Sequence, residues 1–389
     1  MAVSHKNRVK MTVSGTPGTG TITLGSASSG YQSLASAYGG NATVDALFVD
    51  GTAWEVARAC TYTNSGTTLS RGTLEASSTG SAISLTSAAI VSIIPTAGWG
   101  QFVESTLEAV IPGGRLTLTS GTPVTTSDVT GATSVYYTPY IHDVISLWDG
   151  ARWTPVVFAE QTLALGTVTS GLPYDVFGYL SSGALAIEKL AWTNGTTRAT
   201  GVSLQDGRYC KTGDKTRLYL GTFYTTSTTT TEDSGGGTSS QVGGKRFLWN
   251  AYNRVRRFAS VYDGSGTGWS YTSATVRQAN GASGNKVEFF SGLALDDVRA
   301  DLIAGSFNNV GPALMCVGIG LDSTTAFSGQ YHGTYNQPNA TLPVVARYAG
   351  IPAAGYHYLA WCEAGATGGT FSGLDGNLAK TGLTAEMFA

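Results

Sequence analysis

The stretch Ser146–Val156, SLWDGARWTPV, places an Asp-Gly pair between two apolar, strand-forming segments. Asp-Gly between such segments is a strong short signal for a β-hairpin, because both central residues of a type I′ turn need positive φ. The same order of apolar pair, Asp-Gly, short spacer and Trp recurs in Leu47–Val56 (LFVDGTAWEV) and Val261–Tyr271 (VYDGSGTGWSY). The three segments predict three hairpins and therefore three β units.

The tryptophan after each turn, Trp54, Trp153 and Trp269, has two interpretations. A ring just past a turn packs across the hairpin onto the incoming strand. The alternative is an exposed platform on which a sugar ring stacks.

The composition favours an all-β chain. Of the 389 residues, 42% are hydrophobic, which is enough for packed cores, and only 12% are charged. Threonine and aromatic residues favour strands, and the 52 glycines favour turns. Alternation in Thr21–Leu24, Gly114–Leu118 and Tyr174–Tyr179 predicts strands, and Ala89–Ile94 is typical of a strand buried on both faces. At ~150 residues per domain, the length predicts two or three domains.

Helical periodicity is confined to two short segments, Tyr31–Tyr38 and Gly100–Val110. A third segment, Leu295–Ile303, fits a strand as well as a helix because its apolar and charged residues alternate. The expected fold is thus a set of elongated, multi-domain units of β-sandwich or barrel type.

The spacing of the three hairpin segments sets the predicted domain boundaries. Residues 1–96 form an N-terminal β module, and residues 97–114 form a connector with a possible short helix. Residues 115–260 form a central β domain. Residues 261–389 form a C-terminal β domain that makes the distal tip.

A threonine- and glycine-rich run lies inside the central domain, between Leu218 and Arg257. We expect its threonines to extend the strand that begins at Leu218. Glu232–Gly244 is then a protruding loop, and the aromatic segment Lys245–Tyr252 is a core strand. The alternative is disorder confined to the glycines.

Charge excludes several classes of partner. With 23 basic and 25 acidic residues, the net charge is -2, so no broad basic field is expected to gather nucleic acid. Arg254, Arg256 and Arg257 distribute over both faces of a strand and predict a solvated or subunit-pairing face, with a dedicated anion site as the alternative. No stretch approaches the ~18 apolar residues of a membrane span, and the first residues lack a secretion signal, so synthesis in a cytoplasm is expected.

Metal and thiol chemistry is not expected. Cys60, Cys210, Cys316 and Cys362 are far apart, with no CxxC pair, and are predicted to be buried free thiols. The four histidines, His5, His142, His332 and His357, are scattered and predicted to be structural. The alternative is that His332 and His357 converge as ligands or stacking partners. No metal or cofactor is predicted.

Catalytic carboxylates are also not expected. A glycosidase needs two carboxyl groups ~5–9.5 Å apart. Asp50, Asp149 and Asp263 are assigned to turns, while Glu232–Asp233 and Asp296–Asp297 would point to opposite faces of a strand. The Gly-rich segments lack the residues of a phosphate-binding loop or a nucleophile elbow. The sequence therefore predicts no enzymatic activity.

Two parts of the chain resemble structural proteins of tailed bacteriophages, described as tail fibre, head fibre or virion-associated proteins. The first is the N-terminal module, which contains HKNRVKMTVSG (His5–Gly15) and FVDGTAWEVARACTYTNSG (Phe48–Gly66). The second covers most of the rest; its segments include VYYTPYIHDVISLWDGARW (Val135–Trp153), KRFLWNAYNRVRR (Lys245–Arg257), VGIGLDSTT (Val317–Thr325) and GYHYLAWCEAG (Gly355–Gly365). Between Asp233 and Lys245 the chain carries extra Gly and Ser compared with the usual pattern.

The resemblance implies a homotrimeric virion protein, a fibre or spike that attaches to the particle through residues 1–96 and contacts a host-surface glycan without catalysis. Alternatives are a capsid decoration or head-spike protein with a stabilising role, and a glycan-degrading tailspike. For receptor binding we select the aromatic-rich residues of the tip, because aromatic faces stack on sugars. They are Tyr331, His332, Tyr356, His357, Tyr358 and Trp361. The alternative is that these side chains fill the core of the tip.

Overall fold

The structure is a computed structural model that describes residues 6–96, 111–264, 268–336, 340–372 and 381–389. The chain divides into two compact units, residues 1–108 and 109–389. Strands predominate in the described residues, which contain one short α-helix and two 3₁₀ turns. The predicted all-β class is confirmed.

The first unit is built around a closed barrel. Its elements are β1 (Lys10–Ser14), β2 (Ile22–Ala27), α1 (Leu34–Tyr38), β3 (Ala42–Asp50), β4 (Ala53–Thr63), β5 (Thr68–Ser70), β6 (Thr73–Ser77) and β7 (Ile90–Ile93). Six strands pair antiparallel in the order β3, β7, β1, β2, β5, β4, and β4 pairs back to β3. Closure leaves the ring without unpaired edges. The sixth strand in sequence, β6, pairs with β4 outside the ring.

Alternating residues of the barrel strands fill its core. Val44, Ala46 and Phe48 of β3 are fully buried, and they pack with Tyr62 of β4 and Leu69 of β5. The strand predicted at Ala89–Ile94 is β7, but its burial alternates, so it is not buried on both faces.

The short helix of this unit lies where the sequence predicts one. It begins after Ser33, whose hydroxyl accepts a hydrogen bond from the Ser36 amide at 3.1 Å, and it ends at Gly39 with φ of 67°. A serine cap and a left-handed glycine are typical helix limits. The second predicted helix, Gly100–Val110, lies outside the described residues.

The first predicted hairpin is formed by β3 and β4. Asp50 lies opposite Ala53, so the central residues of the turn are Gly51 and Thr52 rather than Asp-Gly. Only Gly51 has positive φ, 61°. Glycine at the first central position is the pattern of a type II′ turn, so the hairpin is confirmed and its expected turn type is wrong.

The second unit contains the remaining strands. Its first part forms β8 (Gly114–Thr117), β9 (Val129–Ala132), β10 (Ser134–Pro139), β11 (Val144–Trp148), β12 (Trp153–Val157), β13 (Gln161–Ala164), β14 (Pro173–Ser181), β15 (Ala184–Ala191), β16 (Val202–Gln205), β17 (Arg208–Lys211), β18 (Asp214–Tyr224), β19 (Thr231–Gly236), β20 (Gly243–Arg246) and β21 (Leu248–Asn250). The later part forms β22 (Arg256–Tyr262), β23 (Trp269–Ser270), β24 (Arg277–Gln278), β25 (Lys286–Ser291), β26 (Val298–Asn308), β27 (Ala313–Leu321), β28 (His332–Asn336), β29 (Leu342–Gly350), β30 (Gly355–Ala364), β31 (Gly369–Ser372) and β32 (Gly382–Phe388).

These strands form two small sheets and two larger ones. The small sheets are β13-β10-β8 and β11-β12, and a six-stranded sheet runs β15-β14-β18-β17-β16 with β21 paired to β18. The largest sheet runs β23-β31-β26-β32-β22-β19-β20-β25-β30-β27-β28, with β29 on β26, β24 on β30 and β9 on β19. Its pairs β19–β22 and β20–β25 are parallel.

The largest sheet curls around one core. Strands from both halves of its order, including β26, β29 and β32 on one side and β25, β27 and β30 on the other, contribute to a single hydrophobic cluster. The segment left open between strand and helix, Leu295–Ile303, belongs mostly to the strand β26.

The division predicted between residues 260 and 261 falls inside β22. Strands β9, β19 and β20 precede that point, yet they lie in the same sheet as β25 to β32. The central and C-terminal stretches are therefore hydrogen-bonded into one unit. The homotrimer and an elongated form stay predictions.

The second predicted hairpin is confirmed. Strands β11 and β12 pair with Trp148 opposite Trp153, and the two rings meet edge to face with centroids 5.6 Å apart. Asp149 accepts hydrogen bonds from the amides of Ala151 and Arg152, each at 2.9 Å, and so closes the turn.

The third predicted hairpin is wrong. Strand β22 pairs with β32, whereas β23 pairs with β31. Asp263 is fully buried, and its Oδ2 accepts hydrogen bonds from the side-chain amides of Gln241, Asn280 and Asn285 at 2.8–3.0 Å. Because β22 and β23 pair with different strands, the Asp-Gly pair at Asp263 does not close a hairpin. The Asp263 carboxylate instead joins distant segments of the chain.

The threonine run turns instead of extending a strand. Strand β18 ends at Tyr224, and the Thr226 amide donates to the Thr230 carbonyl at 2.9 Å. The Thr231 hydroxyl donates to the Tyr224 carbonyl at 2.6 Å, which holds the turn closed. The loop predicted at Glu232–Gly244 is wrong, because β19 and β20 occupy both its ends. The aromatic segment that follows is split between β20 and β21.

Candidate binding surface

The predicted receptor residues on β30 divide between two faces of the strand. His357 and Trp361 point to the buried face, and Tyr356 and Tyr358 are partly exposed on the other. Trp361 is fully buried, and its ring meets Trp269 edge to face with centroids 5.8 Å apart. This tryptophan belongs to the core, so the folded unit does not present it to a ligand.

The two tyrosines of β30 are engaged by neighbours within the second unit. Tyr356 stacks on Tyr224 with ring centroids 4.8 Å apart, and its hydroxyl donates to Glu288. The ammonium of Lys286 lies 5.1 Å from the centroid of the Tyr358 ring. One face of each ring is therefore covered.

Tyr331 and His332 lie elsewhere, at the start of β28, and both are exposed. The Tyr331 side chain is 60% exposed and stacks on Phe327 at 5.1 Å. His332 is opposite Val317, which is opposite Glu363. Glu363 is six residues beyond His357 on β30, about 20 Å at ~3.3 Å per residue. His332 and His357 therefore do not converge.

Residues 322–331, which we call the tip loop, connect β27 to β28. Glycines of β27 let this loop lie directly on the sheet. A Cβ at Gly318 would come within 2.3 Å of the Phe327 ring, and one at Gly320 would come within 2.1 Å of the Ser323 carbonyl oxygen. These contacts are too close for any other residue, so the two glycines of the VGIG segment are needed to seat the loop.

The far end of the tip loop reaches β29. The Arg347 amide donates to the Gln330 carbonyl at 3.1 Å, which places the loop next to the exposed face of β26 and β29. Between them lies an open cleft of about 740 Å³, which we call the tip cleft. Its lining residues are Asp297, Arg299, Ala300, Asp301, Gly329, Gln330, Arg347, Tyr348 and Ala349.

The charges of the tip cleft are paired. Arg347 Nε lies 3.0 Å from Asp301 Oδ1, across the β26–β29 pair. Arg299 Nε lies 2.5 Å from Asp297 Oδ2. The side chains of Asp301 and Arg347 are 61% and 72% exposed, so they present hydrogen-bonding groups to solvent while their formal charges cancel.

A second, smaller groove of about 230 Å³ adjoins the cleft along the same sheet face, and Asp301 lines both. Its lining includes Gly382 of β32, which lies opposite Tyr262 of β22 and Ile303 of β26. Ile303 is exposed there, so this groove is more apolar than the cleft.

Sequence reasoning found Tyr331, which follows the cleft residue Gln330 in the tip loop, and missed Asp301, Gln330 and Arg347. The alternation of charged and apolar residues in β26 was a usable signal, because it marks one exposed face. The partner strand was not visible in the sequence, since Asp301 and Arg347 meet only through the β26–β29 register.

The arginine cluster near residue 256 is already bound to carboxylates. Arg257 is buried, with Nη2 2.8 Å from Asp233 Oδ2. Arg254 pairs with Asp296 at 2.7 Å, and the exposed Arg256 pairs with Glu386 at 2.9 Å. This pairing favours the structural interpretation of the arginines over an anion site.

Within the described parts of the chain, no group of three or more His, Cys, Asp or Glu side chains is arranged to hold a metal ion. The same residues contain no helix with the length and apolar character needed to cross a bilayer. All four cysteines are free, and three are buried while Cys316 is partly buried. Burial raises the pKa of Cys60 to about 11 and that of Cys362 to about 12, so these thiols stay protonated near neutral pH.

No protein-family model matches this chain. A search of curated proteins also finds no significant match.

Proposed function

We propose that this chain is a non-enzymatic structural protein of a bacteriophage virion, a fibre or spike that uses the tip cleft to bind a host-surface glycan. One observation carries the proposal: an exposed cleft whose charges are paired is lined by Gly329 and Gln330 of the tip loop, and the next residue of that loop, Tyr331, has an exposed ring. The phage context rests on the resemblance of the sequence segments described above.

The chemistry of the cleft favours a sugar over other ligands. Planar carboxylate, guanidinium and amide groups can donate to and accept from neighbouring hydroxyls, and an aromatic ring covers the apolar face of a sugar. Because Asp301 is paired with Arg347 and Asp297 with Arg299, the cleft carries no large net charge. We therefore expect a neutral glycan, or one whose charges are balanced, rather than a polyanion.

The remaining parts of the proposal follow the resemblance. The barrel of residues 6–96 attaches to other virion proteins, and the chain assembles as a homotrimer. It is made in the host cytoplasm, carries no cofactor, and neither enters membranes nor binds nucleic acid.

A glycan array tests the binding site. We expect wild-type protein to bind a set of host-envelope glycans. Arg347→Ala and Tyr331→Ala should each weaken binding tenfold or more, and a tenfold change corresponds to ~1.4 kcal/mol of binding free energy. The matched control is Tyr335→Ala, which removes a tyrosine of similar exposure, 66%, further along β28. An array that stays silent at high protein concentration would refute receptor binding.

Two other functions remain as competitors. A capsid decoration protein would locate to the head, and antibody labelling of intact particles distinguishes head from tail.

The second competing function is a glycan-degrading spike. It is supported by the two carboxylates that line the cleft, Asp297 and Asp301. Incubating envelope polysaccharide with wild-type protein and Asp301→Asn tests it. We expect no shortening of the polymer by either, whereas shortening by wild-type protein alone would establish the enzyme.

A further inference from the structure

The imidazole of His357 is held between two hydrogen-bond acceptors. Its Nδ1 lies 2.7 Å from Asp322 Oδ2, and its Nε2 lies 2.8 Å from the Ala353 carbonyl oxygen. A neutral imidazole carries only one N–H and can donate to only one of them. Both bonds form together when the ring is protonated on both nitrogens.

The surroundings of the His357 ring shift its pKa in both directions. Burial lowers the pKa of His357, while the hydrogen bonds to Asp322 and Ala353 and the charge of Asp322 raise it, so that it lies above its usual value of 6.5. The Phe289 ring of β25 packs at 5.6 Å. Burial and the charge of Asp322 also raise the pKa values of Tyr348 and Tyr358. Lys286 pairs with Ala360 and lies with Tyr358 on the opposite face of β30.

Asp322 is the first residue of the tip loop, and its backbone is in the left-handed region with φ of 51°. A non-glycine residue holds this conformation only where contacts fix it. Here Asp322 Oδ1 accepts from the Tyr358 amide and the Asp322 amide donates to the Tyr358 carbonyl, each at 3.0 Å. The His357 bond completes the set, so this side chain helps to fix where the loop leaves the sheet.

We propose that His357 and Asp322 form a proton-dependent clamp that positions the tip loop and, through Gln330, one wall of the tip cleft. His357 is a positioning residue, since it reaches the cleft only through the loop. Its effect on a ligand rests on the proposed function above, but its effect on the loop does not.

The direction of the pH dependence follows from the raised pKa of His357. A group whose pKa is higher in the folded state stabilises the clamped loop fully below the unfolded value, 6.5, and loses that contribution as the pH rises through the folded value. The loop is therefore expected to be tightest below pH 6.5 and to loosen as the pH rises through the raised pKa of His357.

The first test is an NMR titration of histidine-labelled full-length protein, with the His357 signal assigned by its loss in His357→Gln. We expect a midpoint above 6.5 in the wild type. In Asp322→Asn the midpoint should fall, because the carboxylate that raises the pKa is removed. A wild-type midpoint at or below the usual value, or no change in Asp322→Asn, would overturn the clamp.

The second test is amide hydrogen exchange within the tip loop, corrected for intrinsic rates. The Ser328 amide donates to the Ile319 carbonyl, and the Leu321 amide donates to Ser328 Oγ, both at 2.9 Å, so both report opening of the loop. Between pH 6 and 9 we expect wild-type protection to fall severalfold, because the stabilisation by His357 is lost as the pH rises through its raised pKa. His357→Gln should show weak protection at both pH values.

The matched control is His332→Gln, which removes the exposed histidine next to the loop and should behave as the wild type does. Amides of β14 serve as an internal reference for correct folding of each variant. Equal pH dependence in the wild type and His357→Gln would refute the clamp, even if glycan binding holds. A silent glycan array would refute the proposed function, even if the exchange result holds.

Discussion

Each of the two units contains a buried carboxylate bound by arginine, and these two carboxylates differ in the number of arginines that they bind. In the barrel, Arg71 Nη1 lies 2.5 Å from Glu55 Oε2, and Glu55 also accepts from the Ile83 amide at 2.8 Å. In the second unit, Asp233 receives two buried arginines, with Arg246 3.1 Å from one oxygen and Arg257 2.8 Å from the other. Glu55 of the barrel thus binds a single arginine, whereas Asp233 of the larger unit is shared between two.

The difference follows from topology. A closed ring of strands pairs its own edges, so hydrogen bonds alone join its first and last strands. The large sheet has open edges, and Asp233, Arg246 and Arg257 link three of its neighbouring strands, β19, β20 and β22. In the second unit, ion pairs therefore help to hold neighbouring strands together, whereas in the first unit the closure of the barrel does so through backbone hydrogen bonds.

The largest effect is expected from Asp233→Asn. The substitution leaves two buried guanidinium groups facing a neutral amide, and removing one partner of a buried pair costs ~3–5 kcal/mol of unfolding free energy. Urea denaturation of the full chain measures it. The control is Glu386→Gln, which breaks the exposed pair with Arg256 and should cost under ~1 kcal/mol. Similar losses in both variants would show that the shared carboxylate has no special role.

In the barrel, Glu55→Gln should cost less, about 2 kcal/mol, which is the net value of a hydrogen bond to a charged group, because only one guanidinium loses its ion pair. Arg71 keeps its hydrogen bond to the Gly18 carbonyl at 2.8 Å, and the variant amide oxygen can still accept from Ile83. The same denaturation experiment measures the change. A loss equal to that of Asp233→Asn would break the comparison between the units.

Glu363 offers a third case, a fully buried carboxylate whose partner Arg277 has a third of its side chain in water. Burial raises the pKa of Glu363, opposed by hydrogen bonds from Trp269 and Arg277. We expect Glu363→Gln to change stability by ~1 kcal/mol or less at pH 7, since the variant avoids burying a charge while losing one hydrogen bond.

The pH dependence of this variant has a definite sign. A raised folded pKa stabilises the wild type below the unfolded value of 4.5, and that contribution is lost as the pH rises. The stability difference should therefore move in favour of Glu363→Gln between pH 4.5 and 7. Denaturation at several pH values checks it, and a shift in the opposite direction would mean that Arg277 outweighs burial.

The sequence could predict local structure where local residues decide it. Trp148 and Trp153 flank an exposed turn whose Asp149 accepts hydrogen bonds from residues no more than five positions away, and the sequence predicts that hairpin. The turn at Asp263 has the same local pattern, yet its carboxylate is bound by Gln241, 22 residues earlier, and by Asn285, 22 residues later. A short stretch of sequence around Asp263 does not include these two partners, so it cannot predict that they bind the carboxylate.

The candidate site shows the same limit. Alternation along β30 places Tyr356 and Trp361 on opposite faces, but the choice of buried face depends on which strands cover it. Trp361 is covered by the core of the large sheet, and so the aromatic density of this segment reflects packing. Tyr331 is exposed at the end of the tip loop, and the position of this loop is fixed by contacts with β27 and β29.

The smallest effect on stability is expected from Tyr331→Ala. Its ring is 60% exposed and contacts mainly Phe327, so the unfolding free energy should change by less than ~0.5 kcal/mol. A change this small, combined with loss of glycan binding, is expected for a residue that contacts the ligand. The side chain of such a residue contributes little to the free energy of unfolding. A loss above ~1.5 kcal/mol would place Tyr331 with Trp361 in the core and remove it from the proposed site.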